Sequence, residues 1–510
     1  MSVQAQSSDI IQIDSGKIQG SVTDNVASFK GIPFAAPPLG ALRWKAPQPA
    51  PAWDGVKAVT QYGHDCMQEP FPSDAAPLGT VPAEDCLVLN VWKPAKASQQ
   101  KLPVMVWIYG GGFVNGGSSP AVYDGSAFAR QDVIFVSFNY RVGRFGFFAH
   151  PALTNEDSDG LKGNYGFMDQ IAALKWVQTN IQQFGGDANN VTLVGESAGG
   201  FSIHTLMNSP LAKGLFQRAI IQSGGGRTDI GHGRRMSGAA TPQSPTAESI
   251  GLAFATKHGI HGSGQKALDA LRALPAEQVC DGLNMMSMND PTYAGPMIDG
   301  RVVQAQPKDF YEAGTGISIP LLVGTTGYEI GFPPQVKTLQ EALAPFGEAR
   351  FDEALSAFKQ SGLSDPQAIA QAISSDVLMV EPSRYVERMA KKQGQSIWAY
   401  RFSYVADSVK KEWPGAYHAT DIPYAFDTVK ARYENQLTEN DAAMAKLVNQ
   451  YWVNFAKTGN PNGQGLPTWE QYQSKKDALL EFSNNGIQAT KMQVDPWKAR
   501  LDLIETLQEK

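Results

Sequence analysis

Short apolar runs, four to six residues long and rich in β-branched and aromatic side chains, recur along this chain between clusters of Gly, Pro and Asn. The runs at 87–92, 104–109, 133–138, 191–194, 218–222, 319–323 and 397–401 have the length and bounds of buried strands. From Ile10 to Val22 apolar and polar residues alternate around Gly16 and Gly20, the pattern of a small antiparallel hairpin. The segment 29–38 holds too many prolines for a regular element and is expected to be an ordered surface loop. Helical spacing falls between the strands. Phe167, Ile171, Leu174, Val177 and Ile181 share one stripe, and Gly185-Gly186 supplies the stop. Strands alternating with helices predict an α/β fold, a mostly parallel sheet covered by helices on both faces. Two stretches, 224–291 and 334–394, break the alternation with short helical patterns rich in Gly, Ala and Ser. We expect them to be lid or gorge-wall insertions in one catalytic domain spanning 1–510. No internal repeat is present.

Composition narrows the class. A hydrophobic share of 42% with 18% charged residues is that of an ordinary folded protein. A net charge of -6 leaves no basic footprint for nucleic acid. No run approaches the ~18–20 apolar residues of a membrane span. Near the start, Val3-Gln4-Ala5 resembles the small-residue tail of a signal peptide with Gln6 as the mature residue, so a secreted or periplasmic protein is expected. Of three cysteines, Cys66 and Cys86 are spaced so that a bridge would close one short loop, worth about 3 kcal/mol. Two free thiols in a reducing compartment are the alternative. Together with the N-terminal residues, the bridge and export are the favoured pair of expectations, which leaves Cys280 as a buried thiol.

The decisive chemistry lies in Val191-Thr-Leu-Val-Gly-Glu-Ser-Ala-Gly-Gly200, where a predicted strand runs into Gly195-Glu-Ser197-Ala-Gly199 and an apolar helix follows from about Phe201. This is the spacing of a nucleophile elbow, which exposes a serine hydroxyl on a strained turn. Glycines at 195 and 199 remove bulk that a tight turn cannot hold. A helix N-terminus at Ser197 favours developing negative charge. Attack on an ester creates an oxyanion that needs fixed N–H donors. Ala198 offers one, and Gly110-Gly111-Gly112, directly after the run 104–109, offers others; a plain flexible turn is the competing reading of that triplet.

The hydroxyl needs a base, and the base needs a carboxylate to fix its tautomer. Among seven histidines, His204 lies along the nucleophile's own helix, and His64, His150, His258 and His261 fall in loops or insertions. His418, in Pro414-Gly-Ala-Tyr-His-Ala-Thr-Asp421, lies late in the chain, as the order Ser, acid, His requires. Glu329 follows the run 319–323 and is the candidate acid. Asp421, three residues past His418, is its rival.

Taken together, several segments resemble the type-B carboxylesterase/cholinesterase family of α/β-hydrolases. They are Phe29-Lys-Gly-Ile-Pro-Phe-Ala35, Glu84-Asp-Cys-Leu-Val-Leu-Asn90, Gly110-Gly-Gly-Phe113, Asn139-Tyr-Arg-Val-Gly143, Gly163-Asn-Tyr-Gly166, Phe184-Gly-Gly-Asp187, Gly195-Glu-Ser-Ala-Gly199 and Tyr451-Trp-Val-Asn-Phe-Ala-Lys-Thr-Gly-Asn-Pro461. The resemblance implies the α/β-hydrolase fold and a Ser197, Glu329, His418 triad. It further implies an oxyanion hole from Gly111, Gly112 and Ala198, a Cys66–Cys86 disulfide, and Glu196 and Ser223 as buried supporting residues. The sequence departs from the family where Glu329 sits in Gly327-Tyr-Glu-Ile330, without the usual acidic residue before it and Gly after it. Residues 67–85 contain no Trp, which argues against a choline ester, and the missing second disulfide points to a bacterial or fungal-type member.

The segment after Ser223 carries Arg227, His232, Arg234 and Arg235. Such a cluster in a gorge would bind esters bearing free carboxylates through paired guanidinium hydrogen bonds, the polycarboxylate esters of fumonisin-type toxins being one case. A solvated loop with locally paired arginines is the alternative. The reaction expected is hydrolysis of a small-molecule carboxylic ester through an acyl-enzyme, a route that calls for no metal or organic cofactor. An amidase or lactonase on the same triad is the alternative, and a non-catalytic adhesion or binding module the most remote.

Overall fold

The structure, a computed structural model, describes residues 6–71, 75–96, 98–156, 160–227, 233–239, 241 and 243–509. The chain divides into two compact units. One comprises Met1–Ala219, Thr228–Ile317 and Ala456–Thr458, the other Ile220–Arg227, Ser318–Phe455 and Gly459–Lys510.

In the first unit the strands are hydrogen-bonded in the order Gln6–Ile13, Gly16–Thr23, Val26–Pro33, Val88–Pro94, Ile134–Phe138, Leu102–Ile108 and Gly186–Glu196. The last three run parallel, with Val104 opposite Ile134 and Val191 opposite Val104. The earlier four pair antiparallel, beginning with the predicted hairpin, where Ile13 faces Gly16. Helix Tyr165–Asn180 continues as a 3₁₀ turn, Ile181–Phe184, and stops where Gly185 takes φ 88°.

The second unit holds the parallel strands Leu321–Thr326, Ile397–Phe402 and Ala478–Phe482, closed by the antiparallel Lys491–Val494. Strand Arg218–Gln222 leads into this unit, and the Ser223 N–H donates to Gly324 O at 2.8 Å. Parallel pairing thus occupies the strands that carry or adjoin the candidate chemistry, in the manner of an α/β-hydrolase sheet.

Segment 29–38 is corrected by the structure. Val26–Pro33 is a buried strand, and Phe29 and Ile32 are almost fully covered. The proline at 33 is tolerated because it ends the strand, and a bulge between Phe29 and Ile32 absorbs Gly31 at φ 74°. Only the residues from Phe34 onward form a loop, and Phe34 and Ala35 are buried in it.

The stretch 224–291 carries helices Ala247–Lys257, Gln265–Arg272 and Ala276–Cys280. The stretch 334–394 carries Leu339–Leu343, Phe351–Gln360, Pro366–Ser375 and Glu381–Lys392. Leu343, Phe346, Phe358, Ile369 and Ile373 of the second stretch enclose Leu503 and Ile504 of the C-terminal helix Lys498–Gln508. Among the described residues, no helix is long and apolar enough to cross a membrane.

Candidate active site

Strand Gly186–Glu196 ends one residue before Ser197, and helix Ala198–Asn208 begins one residue after it, three positions earlier than the sequence suggested. Ser197 takes φ 54° and ψ -123°, a backbone state that L-residues adopt only when their surroundings enforce it. The surroundings are visible in the flanking glycines. A Cβ on Gly195 would lie 2.5 Å from the Gly199 carbonyl, and one on Gly199 would lie 1.9 Å from Ile108 O. Any larger residue at either position would push the turn off the adjacent strand end.

The glycine triplet lies beside this elbow. A Cβ added to Gly110 would come within 2.9 Å of the Ser197 Cβ and 2.8 Å of Glu196 Oε2. Gly111 and Gly112 take φ 98° and 62°, and Val114 and Asn115 donate back to Gly111 O to close the turn. Tyr109 and Tyr140 brace its entry: their rings stack at 4.3 Å, Tyr109 Oη donates to Tyr140 O, and Tyr140 Oη donates to Tyr109 O. Ala198 is fully buried, and Ser197 is 7% exposed.

In the second unit a single parallel bridge between Tyr328 and Tyr417, with the Tyr328 N–H on Ala416 O at 2.8 Å, sets the following residues, Glu329 and His418, opposite each other. His418 Nδ1 lies 2.5 Å from Glu329 Oε2. Glu329 Oε1 accepts from Ser223 Oγ at 2.5 Å and from the Thr326 N–H at 2.9 Å. Burial opposes ionisation of Glu329, but His418 and the hydrogen bonds from Ser223 and Thr326 outweigh it and hold the carboxyl below its ordinary range. An ionised Glu329 keeps the proton on Nδ1 and leaves Nε2 as the basic nitrogen. Asp421, the rival acid, turns elsewhere: its Oδ2 accepts from Gln222 Nε2 at 2.8 Å and from Tyr400 Oη at 3.2 Å. His204 Nδ1 is 2.9 Å from Tyr311 Oη, a buried pairing within the first unit.

Within the cationic segment, Arg227 is paired internally. Arg227 is 5% exposed, binds both oxygens of Glu381 at 2.5 and 2.6 Å, and stacks on Tyr385 at 4.0 Å. Its charge is therefore taken up internally, which removes it as a free anion receptor. Arg234 donates to Ala294 O, Arg235 is exposed, and His232 lies outside the described residues. Cys66 and Cys86 form a disulfide with Cα atoms 4.9 Å apart, and Cys280 is a buried free thiol.

Three groups near these elements escaped the sequence reading: Asn115, the methionines at 285 and 288, and the Gln222–Asp421–Tyr400 hydrogen bonds. For Asn115 a signal existed, since an amide directly after the apolar pair Phe113-Val114 asks for buried partners.

The Carboxylesterase family model matches residues 7–497. The chain belongs to this family. Among its relatives, the fumonisin B1 esterase of Sphingopyxis macrogoltabida is 33% identical over 98% of this chain and 91% of its own length. The para-nitrobenzyl esterase of Bacillus subtilis (strain 168) is 35% identical over 92% of this chain and 94% of its own. Carboxylesterase 1C of Rattus norvegicus is 32% identical over 95% and 91%. A solved structure of PNB esterase superposes with a TM-score of 0.81 at 31% identity, covering 97% of this chain and 99% of that one. The protein is accordingly a carboxylesterase with the α/β-hydrolase fold, and it hydrolyses carboxylic esters. In this carboxylesterase Ser197 stands at a tight turn between a strand and a helix.

Proposed function

We propose that this carboxylesterase works through Ser197 as nucleophile, His418 as general base and Glu329 as the acid that orients it, with the oxyanion received by the N–H groups of Gly111, Gly112 and Ala198. The observation that carries this reading is the strained backbone of Ser197, held between two glycines beside Gly110. In the first half-reaction His418 Nε2 takes the Ser197 proton while Oγ bonds to the ester carbon. The tetrahedral intermediate then collapses, and the alcohol leaves with the proton from His418. Water repeats the sequence on the acyl-enzyme and releases the acid. Glu196, next to the nucleophile, and Ser223, which donates to Glu329, are the supporting residues of this reading. The Cys66–Cys86 bridge supports an exported protein, because such bonds persist in oxidising compartments.

For the substrate, the reading extends to esters carrying free carboxylates, the fumonisin type included. Its support is the relative named fumonisin B1 esterase together with Arg234 and Arg235; Arg227 no longer contributes.

The test is turnover of p-nitrophenyl acetate and of fumonisin B1 by the wild type, Ser197→Ala, His418→Ala and Glu329→Gln. Each substitution is expected to lower kcat by about 10³-fold or more. Covalent labelling by an organophosphate should fall on Ser197 in the wild type, be abolished in Ser197→Ala and be strongly slowed in His418→Ala. Label found on another residue overturns the triad, and wild-type turnover confined to the neutral ester removes the carboxylate reading.

A further inference from the structure

The turn Met285–Ser287 and the residue after it lie against the glycine triplet. A Cβ placed on Gly112 would meet Met288 Sδ at 2.7 Å, Met288 Cε at 2.8 Å and Met285 Sδ at 2.9 Å. Two thioethers therefore cover the face of Gly112 where a side chain would stand. They do not rest there by chance packing. Asn284 caps the turn, its side chain accepting from the Met286 N–H at 2.8 Å, while its own N–H donates to Ser287 Oγ at 2.9 Å. The Met285 N–H donates at 2.9 Å to Asn115 Oδ1, on the segment that closes the glycine turn. The Asn115 amide nitrogen in turn donates to Gln68 Oε1 at 3.2 Å and Glu69 O at 2.6 Å, in the disulfide-bonded loop. Asn115 is 1% exposed, so one buried amide ties three segments together at this point.

Methionine is unbranched and polarizable, and its side chain reshapes to fit varied apolar groups. Two of them beside an oxyanion-binding loop are placed to meet whatever adjoins the scissile carbonyl. We propose that Met285 and Met288, fixed to Gly112 through Asn115, form a thioether wall that sets the size of the apolar group accepted next to the ester carbonyl. The inference rests on Gly112 belonging to the oxyanion hole. Met285 and Met288 determine specificity, and Asn115 is a positioning residue that acts through them.

The test compares wild type, Met285→Ala/Met288→Ala and Met285→Leu/Met288→Leu on two ester series. One series varies the acid in p-nitrophenyl acetate, butyrate and benzoate; the other varies the alcohol in phenyl and naphthyl acetates. A methylene of lost wall is worth about tenfold in kcat/KM discrimination. The alanine pair should therefore raise the ratio of largest to smallest ester by about tenfold or more in one series, which names the side of the ester that the wall touches. The leucine pair, of similar volume, should keep the wild-type ratio. Hydrogen peroxide transfers oxygen to the sulfur and leaves as water; it should shift the wild-type ratio and leave that of the leucine pair unchanged. Asn115→Leu should shift the ratio in the direction of the alanine pair. Unchanged ratios in both series, in an alanine pair that still turns over the smallest ester, overturn the wall. Turnover of Ser197→Ala close to that of wild type would instead overturn the catalytic reading, so the two failures are distinct.

Discussion

Two acids lie near His418, and they titrate in opposite directions. Glu329 is held below its ordinary range by the imidazole and its donors, whereas Asp421 is pushed up to about 6. Burial is the main cause for Asp421. The Gln222 hydrogen bond partly offsets it, Glu329 raises it again, and His418 and Tyr400 oppose. A folded pKa above the ordinary 3.8 means that the carboxyl's favourable contribution to folding is complete below that value and is lost as pH rises through about 6. Above that window a buried charge remains as a cost. Asp421→Asn keeps an oxygen for Gln222 and Tyr400 and cannot ionise. Thermal melts should show the variant gaining on wild type between about pH 4 and 7.5, by on the order of 1–3 kcal/mol. A stability difference flat with pH would contradict the assignment. Chain order and a preceding strand make Glu329 the candidate acid from sequence alone. The state of Asp421 is not legible there, since Gln222 and Tyr400 lie 199 and 21 positions away in sequence.

Strands carry the glycine turn and the elbow, and their ends are fastened by side chains rather than by the ladder alone. Tyr109 and Tyr140 follow adjacent parallel strands, and each hydroxyl reaches the carbonyl of the other residue. Tyr140→Phe keeps the stacked ring but leaves the Tyr109 carbonyl without its hydroxyl donor, costing about 1–3 kcal/mol. Because that carbonyl immediately precedes Gly110, the loss should reach the glycine turn and lower kcat with little change in KM. A KM effect alone would place the clamp's role in binding. The strands themselves were legible wherever an apolar run stood between turn-formers. Val26–Pro33 was hidden by Pro33 at its end and by Pro37 and Pro38 just beyond it. Helix Glu439–Thr458 was missed for another reason: polar residues such as Asn449 and Asn454 interrupt its stripe, and both are spent on tertiary hydrogen bonds. Its caps, Thr438 with Asp441 at the start and Gly459 at φ 77° at the end, were signals that the stripe obscured.

On the scale of the whole molecule, the Arg227–Glu381 pair separates chemistry from architecture. The two residues are 154 positions apart, and they join the segment after strand Arg218–Gln222 to helix Glu381–Lys392. In sequence, Arg227 reads as one of several free cations near a serine. Nothing local reveals Glu381, whose position depends on the fold of the intervening helices. Removing one partner of a buried pair leaves the other charge uncompensated, at about 3–5 kcal/mol, whereas replacing both with apolar residues of similar size is often neutral. Arg227→Ala should therefore lower thermal stability and reduce turnover of neutral and anionic esters alike. Arg227→Met combined with Glu381→Leu should recover most of the stability and both activities together. An Arg227→Ala enzyme that melts like wild type yet loses only anionic esters would return this arginine to the substrate site. Recovery of neutral turnover alone in the double variant would do the same, because it would mean that the guanidinium reaches a ligand as well as Glu381.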